Sequence, residues 1–128
     1  MSSLTNKEIG RLGENIAVGW LEKKGYKILE RNFSFCDNFK KGELDIVAKK
    51  GETIIFFEVK ATDSESFVFF PEDRVNFKKR KQLLKIGQEW LIKNKLSLDI
   101  PWQFDVISVR IDLERKKAFV RHFANSFC

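Results

Sequence analysis

The sequence predicts an α/β domain with a mixed central β-sheet flanked by helices, and three features carry that expectation. A helical stripe of apolar residues fills the first two dozen positions. Two apolar runs, residues 43–48 and 53–61, face each other across Lys49-Lys50-Gly51. A second, strongly basic helical stretch then precedes two more strand-like runs, residues 102–110 and 117–123. The order helix, three strands, helix, strands is that of a single α/β domain over residues 1–128, with no repeat and no linker.

Thr5 followed by Glu8 is a capping box, and it opens a helix to about residue 24. Ile9, Leu12, Ile16, Trp20 and Leu21 form its buried stripe, with Gly10, Gly13 and Ala17 alongside to allow close packing. Gly25 ends it as a left-handed cap. Residues 26–33 read as the first strand and 34–41 as a polar, irregular loop holding Phe35 and Phe39. In the hairpin that follows, Lys50-Gly51 are taken as the centre of the turn, which sets Asp45 opposite Phe56. Alternation then puts Phe56, Glu58 and Lys60 on the face of Asp45, with the two carboxylates diagonal and their Cβ atoms roughly 7–8 Å apart. After a polar loop, the cluster Phe67-Val68-Phe69-Phe70-Pro71 is assigned to packing, with base stacking as its alternative role. A second helix over residues 75–95 turns Leu83, Leu84, Gly87, Trp90 and Leu91 inward. Lys78, Lys81 and Lys85 lie on its outer face, and Lys79 falls between the two faces. Asp105, inside an apolar strand, calls for a backbone or Arg partner. His122 reads as packed or surface, with no partner in view.

At 128 residues and 43% hydrophobic, with 13 Phe, the chain can bury a genuine core, which excludes global disorder. No apolar run approaches membrane-spanning length, and Met1-Ser2-Ser3-Leu4-Thr5 has no signal-peptide character, so a cytoplasmic protein without a membrane partner is expected. Cys36 and Cys128 have no metal-ligand spacing and read as unpaired thiols. Between residues 74 and 95 stand Arg74, Lys78, Lys79, Arg80, Lys81, Lys85, Lys93 and Lys95 against the single acid Glu89, more than the whole net charge of +6. Such a surface fits a polyanion, or simply a solvated helix in a basic protein.

The chemistry is concentrated in Gly42-Glu43-Leu44-Asp45-Ile46-Val47 and in Glu58-Val59-Lys60. Ionised groups rarely sit in buried strands unless they are paired or hold a metal. Converging carboxylates repel, and a divalent cation relieves the repulsion. Oxygen ligands without Cys or His select Mg²⁺ or Mn²⁺. With a lysine beside the ion and a basic helix to hold a phosphate backbone, the combination is that of phosphodiester hydrolysis. The plainer alternative is a Lys60 salt bridge with one of the acids, which leaves the other carboxylate over. Glu14, at the edge of the helical stripe, reads by spacing alone as an ordinary exposed Glu.

Asp45, twelve intervening residues and Glu58-Val59-Lys60 resemble the PD-(D/E)XK nuclease superfamily, with its restriction endonuclease-like three-layer fold. The chain is more closely similar to the YraN-like family of small bacterial proteins within it. The likeness runs through Gly10-Arg11-Leu12-Gly13-Glu14, Gly25-Tyr26-Lys27-Ile28-Leu29-Glu30-Arg31-Asn32, the Gly42 and Glu58 motifs, Val75 with Lys79 and Leu83, and Phe104-Asp105-Val106. The resemblance implies a Mg²⁺- or Mn²⁺-dependent nuclease acting on DNA, on branched or single-stranded repair intermediates. It implies Asp45 and Glu58 as metal ligands, Lys60 as the active-site lysine and Glu43 as a further acid. Glu14 matches the helix-borne Glu of archaeal junction resolvases and joins the metal set by that likeness. Lys79 matches the family's helix lysine and is expected on phosphate, with Lys78, Lys81, Lys85 and Arg74 around it. Because junction resolvases cut two strands as dimers, a homodimer is also implied. The chain departs from the family pattern at Thr62 and Ser34, where basic residues are usual, and in a longer loop before Gly42. The alternative is a non-catalytic nucleic-acid-binding module on the same fold.

Overall fold

In the computed structural model, residues 4–37, 40–64 and 77–125 are described, with side chains at all of these except 36–37, 40–41 and 77–80. The capping box at Thr5 forms as expected: the Glu8 amide donates to Thr5 Oγ1 and Glu8 Oε1 accepts from the Thr5 amide. It starts α1 (Asn6–Lys23). The helix ends in a Schellman motif, with Tyr26 N–H donating to Leu21 O, Gly25 N–H donating to Glu22 O, and Gly25 at φ +92°.

Five strands follow: β1 (Lys27–Asp37), β2 (Lys40–Lys50), β3 (Thr53–Thr62), then, after α2 (Phe77–Lys93), β4 (Trp102–Asp112) and β5 (Lys117–Phe123). They make one sheet in the order β1-β2-β3-β4-β5. Only the β3–β4 pair is parallel, because α2 lies between those strands in the chain and carries it back to the starting end. The sheet is therefore mixed, as predicted. Ile9, Ala17 and Leu21 of α1 bury one face with Ile46, Ile55, Phe57, Ile107 and Val109. Leu83, Ile86, Trp90 and Leu91 of α2 bury the other with Phe33, Leu44, Val47, Phe56 and Phe104. This is the three-layer α/β arrangement of the restriction endonuclease-like fold. No helix among the described residues is long and apolar enough to cross a membrane.

Three expectations are corrected. Most of the stretch read as an irregular loop continues β1 to Asp37 and starts β2 at Lys40, because Phe33 and Phe35 alternate onto the α2 core. In the hairpin, Lys50 pairs with Thr53 and Val47 with Phe56, so Gly51 and Glu52 are the central turn residues and the assumed register is two positions off. Ile86, not read as inward, is buried in place of half-buried Leu84. Residues 67–71, 74–76 and 128 lie outside the described residues, as does the Cys36 side chain, and so do the expectations placed on them.

Candidate functional site

Strand alternation fails at the level of Asp45, and the acids gather there. Ile46 and Ala48 belong to the α1 core, yet Leu44 and Val47 both belong to the α2 core, so the pleat is interrupted at Asp45. The β1–β2 ladder pairs Arg31 with Ile46 and Phe33 with Leu44, skipping Asn32 and Asp45. Asn32 stands at φ +57°, a conformation that Asn tolerates better than most residues. On the other side of β2, hydrogen-bonded pairing with β3 stops at Ile46–Phe57. The Asp45 carboxylate takes over the next amide: Val59 N–H donates to Asp45 Oδ2 at 2.7 Å. A side chain thus closes the ladder where the two strands part.

Burial pushes the Asp45 carboxyl up from its ordinary 3.8 to about 6. The Val59 hydrogen bond pulls it back, and Glu14, Glu43 and Glu58 each push it up again by repulsion. Glu14, Glu43 and Glu58 therefore each lie close enough to act on Asp45. Glu43 is exposed, and Glu58 and Lys60 are half-buried, two residues apart on β3. Glu14, 9% exposed, reaches this level from α1 because Gly13 lies against Ala61 and Val109, so the helix rides close on β3 and β4. Arg31 Nε and Asn32 Nδ2 both donate to Glu14 Oε1, each at 3.0 Å, and Arg31 Nη2 donates to Asn15 Oδ1. Sequence reasoning quoted Arg31 and Asn32 without giving them this task; polar residues in mid-strand facing a helix Glu were the available signal.

Among the described residues, no three His, Cys, Asp or Glu side chains gather closely enough to hold a metal ion. Mg²⁺ is ordinarily held by only one or two carboxylates, with waters and substrate phosphates completing the shell. Asp45 and Glu58 suit that mode by chemistry. Glu14 is already engaged by Arg31 and Asn32. Of the predicted nucleic-acid contacts, Lys81 and Lys85 are exposed on α2. Lys78 and Lys79 fall in its first turn, with their side chains outside the described set, and Arg74 lies outside it altogether.

Away from this cluster, Asp105 is fully buried and well satisfied. It accepts from Gln103 Nε2 and from the Asn125 amide at 2.9 Å, and His122 Nε2 lies 2.7 Å from its Oδ2. The expectation of a backbone or Arg partner is met by the Asn125 amide, and the ring facing Asp105 from β5 is His122. His122, expected to have no partner, packs against Trp20, Tyr26 and Phe57 while it holds Asp105.

A three-layer mixed sheet with acids and a lysine where two central strands separate defines a protein of the restriction endonuclease-like class. The chain belongs to the uncharacterised protein family UPF0102, whose pattern matches residues 13–109, and this is the YraN-like family that its motifs resemble. It is 42% identical to a UPF0102 protein of Clostridioides difficile over 97% of this chain and 100% of the relative. A UPF0102 protein of Alkaliphilus oremlandii is 40% identical over 95% of this chain and 99% of its own, and one of Geobacter metallireducens is 42% identical over 98% and 96%.

Proposed function

We propose that this protein is a Mg²⁺- or Mn²⁺-dependent nuclease that hydrolyses phosphodiester bonds in DNA, with branched or single-stranded intermediates as its substrates. The observation that supports it best is the raised pKa of Asp45, caused by burial and by three neighbouring carboxylates. Such mutual repulsion destabilises the fold and is relieved when a cation is held. Asp45 and Glu58 would hold the ion, which when bound would lower the pKa of water and neutralise charge on the phosphate. Lys60, two residues beyond Glu58, stabilises the charge that builds on the phosphoryl group as water attacks. The Val59 amide fixes the Asp45 carboxylate in one orientation, and Arg31 and Asn32 fix Glu14. Exposed Lys81 and Lys85 give α2 a cationic surface for the phosphate backbone.

A second reading, a non-catalytic nucleic-acid-binding module, draws on exposed Lys81 and Lys85 of α2 and needs none of the acids. A single experiment separates the two. Purified protein is incubated with Mg²⁺ or Mn²⁺ and labelled duplex, flap, junction and single-stranded DNA. Cleavage that disappears in Glu58→Ala and Lys60→Ala supports the nuclease. Binding without cleavage, or equal cleavage by Glu58→Ala, refutes it.

A further inference from the structure

Beyond the core that α2 covers, the same sheet face carries polar and basic side chains in register. The β3–β4 ladder pairs Lys60 with Ser108, and the β4–β5 ladder pairs Ser108 with Arg121. Residues paired in a ladder share a face, so the three stand in one row across three strands, with the outer two roughly 10 Å apart. The next row sets Thr62 beside Arg110 and Arg110 beside Phe119. Phe56, four residues before Lys60, lies in the α2 core, which fixes the face as that of Glu58 and Lys60.

Three features make this face chemically unusual. The Ser108 hydroxyl is fully buried and is the one buried side-chain polar atom without a hydrogen-bond partner among the described residues. Arg121 is exposed at the edge strand β5. Phe119 is 41% exposed, and the Arg110 guanidinium lies 4.1 Å from the centre of its ring. An aromatic ring backed by arginine and left open to solvent is a stacking surface for an unpaired base, and cations in a row match phosphates. A duplex keeps its bases stacked inside and cannot use such a ring.

We propose that Lys60, Arg121, Arg110 and Phe119 form a track for single-stranded nucleic acid that leads from the acidic cluster to the β5 edge, over the buried Ser108; this rests on the reading of the protein as one that engages nucleic acid. Phosphates lie along Lys60 and Arg121, and a base stacks on Phe119.

The test is fluorescence anisotropy of a labelled oligothymidylate and of a blunt DNA duplex, with EDTA present so that nothing is cut. Phe119→Ala and Arg121→Ala each weaken oligothymidylate binding by about five- to thirty-fold, whereas Lys23→Ala on α1, which also removes one charge, changes it by less than about two-fold. Phe119→Leu, which keeps apolar bulk without a ring face, behaves as Phe119→Ala, and Phe119→Ala leaves duplex binding unchanged. The track is overturned if the unmodified protein does not bind oligothymidylate, or if Phe119→Ala binds it as the unmodified protein does. It is overturned as well if Phe119→Ala loses duplex and single strand equally while its melting curve stays unchanged. Cleavage assays on the same proteins keep the two ideas apart. Absent cleavage with Phe119-dependent binding removes the nuclease and keeps the track, and metal-dependent cleavage with Phe119-independent binding does the reverse.

Discussion

Asp45 carries the sharpest physical consequence of any single residue in this protein. Its folded carboxyl titrates near 6 and its ordinary value is 3.8, so the folded state holds the proton more tightly than the unfolded chain does. The stability this confers is fully present below the unfolded value and is lost as pH rises through about 6. A shift of this size corresponds to at most about 3 kcal/mol. Asp45→Asn keeps an acceptor for the Val59 amide while abolishing the charge. It should therefore melt several degrees above the unmodified protein at pH 8, with the difference shrinking toward pH 4, as thermal unfolding by circular dichroism would show. An Asn variant that melts lower at pH 8 would contradict repulsion among the acids. The importance of Asp45 was legible from its apolar surroundings, but its hydrogen bond to Val59 was not, because the end of a ladder depends on how three strands separate. That His122 packs was legible, but its partner was not, because Asp105 lies 17 residues away in sequence and is adjacent only through β4–β5 pairing.

At the level of elements, the precise seat of α1 is what brings Glu14 to the acids. A Cβ on Gly13 would collide with the Ala61 methyl, which is rigid strand rather than a flexible tip, whereas a Cβ on Gly10 meets nothing within 4 Å. Two substitutions in one helix should therefore have opposite signs. Gly13→Ala destabilises by about 1–3 kcal/mol through overpacking, and Gly10→Ala stabilises by up to about 1 kcal/mol through helix propensity. Urea unfolding of the pair measures both, and equal effects would show that α1 does not press on β3 at Gly13. The sequence announced this helix fully, through its capping box, apolar stripe and terminal Gly25. It announced β3, β4 and β5 almost to the residue, because each is rich in aromatic and β-branched residues. The β1–β2 extension was less legible: Ser34, Cys36 and Asp37 look like loop composition, and only the spacing of Phe33 and Phe35 betrays a strand. The turn register slipped because Gly51 fits either central position, and it fills the first, at φ +60°. A slip of two preserves parity, so Glu58 and Lys60 stay on the face that alternation assigned to them.

For the molecule as a whole, the two helical layers and the sheet between them give the basic helix and the acidic cluster different seats. A basic α2 covers one half of a face, and the acids collect where β2 leaves β3. This separation lets an anionic polymer approach cationic surface while a cation is drawn to the acidic cluster. If Asp45 and Glu58 hold Mn²⁺, the ion binds the folded state alone and must raise its stability, by about 2.7 kcal/mol at a hundredfold excess over Kd. For a chain of this length that is a rise in Tm of several degrees. Protons compete for the same carboxylate, so the shift should be large at pH 8 and small at pH 5, on either side of the value near 6 for Asp45. It should vanish in Asp45→Asn and in Glu58→Gln at every pH. The measurement needs no substrate and so separates metal binding from cleavage. A Tm that does not respond to Mn²⁺ at pH 8 would show that the acids hold no ion, and one that rises equally in Asp45→Asn would place the ion elsewhere; either leaves the acids without a catalytic task.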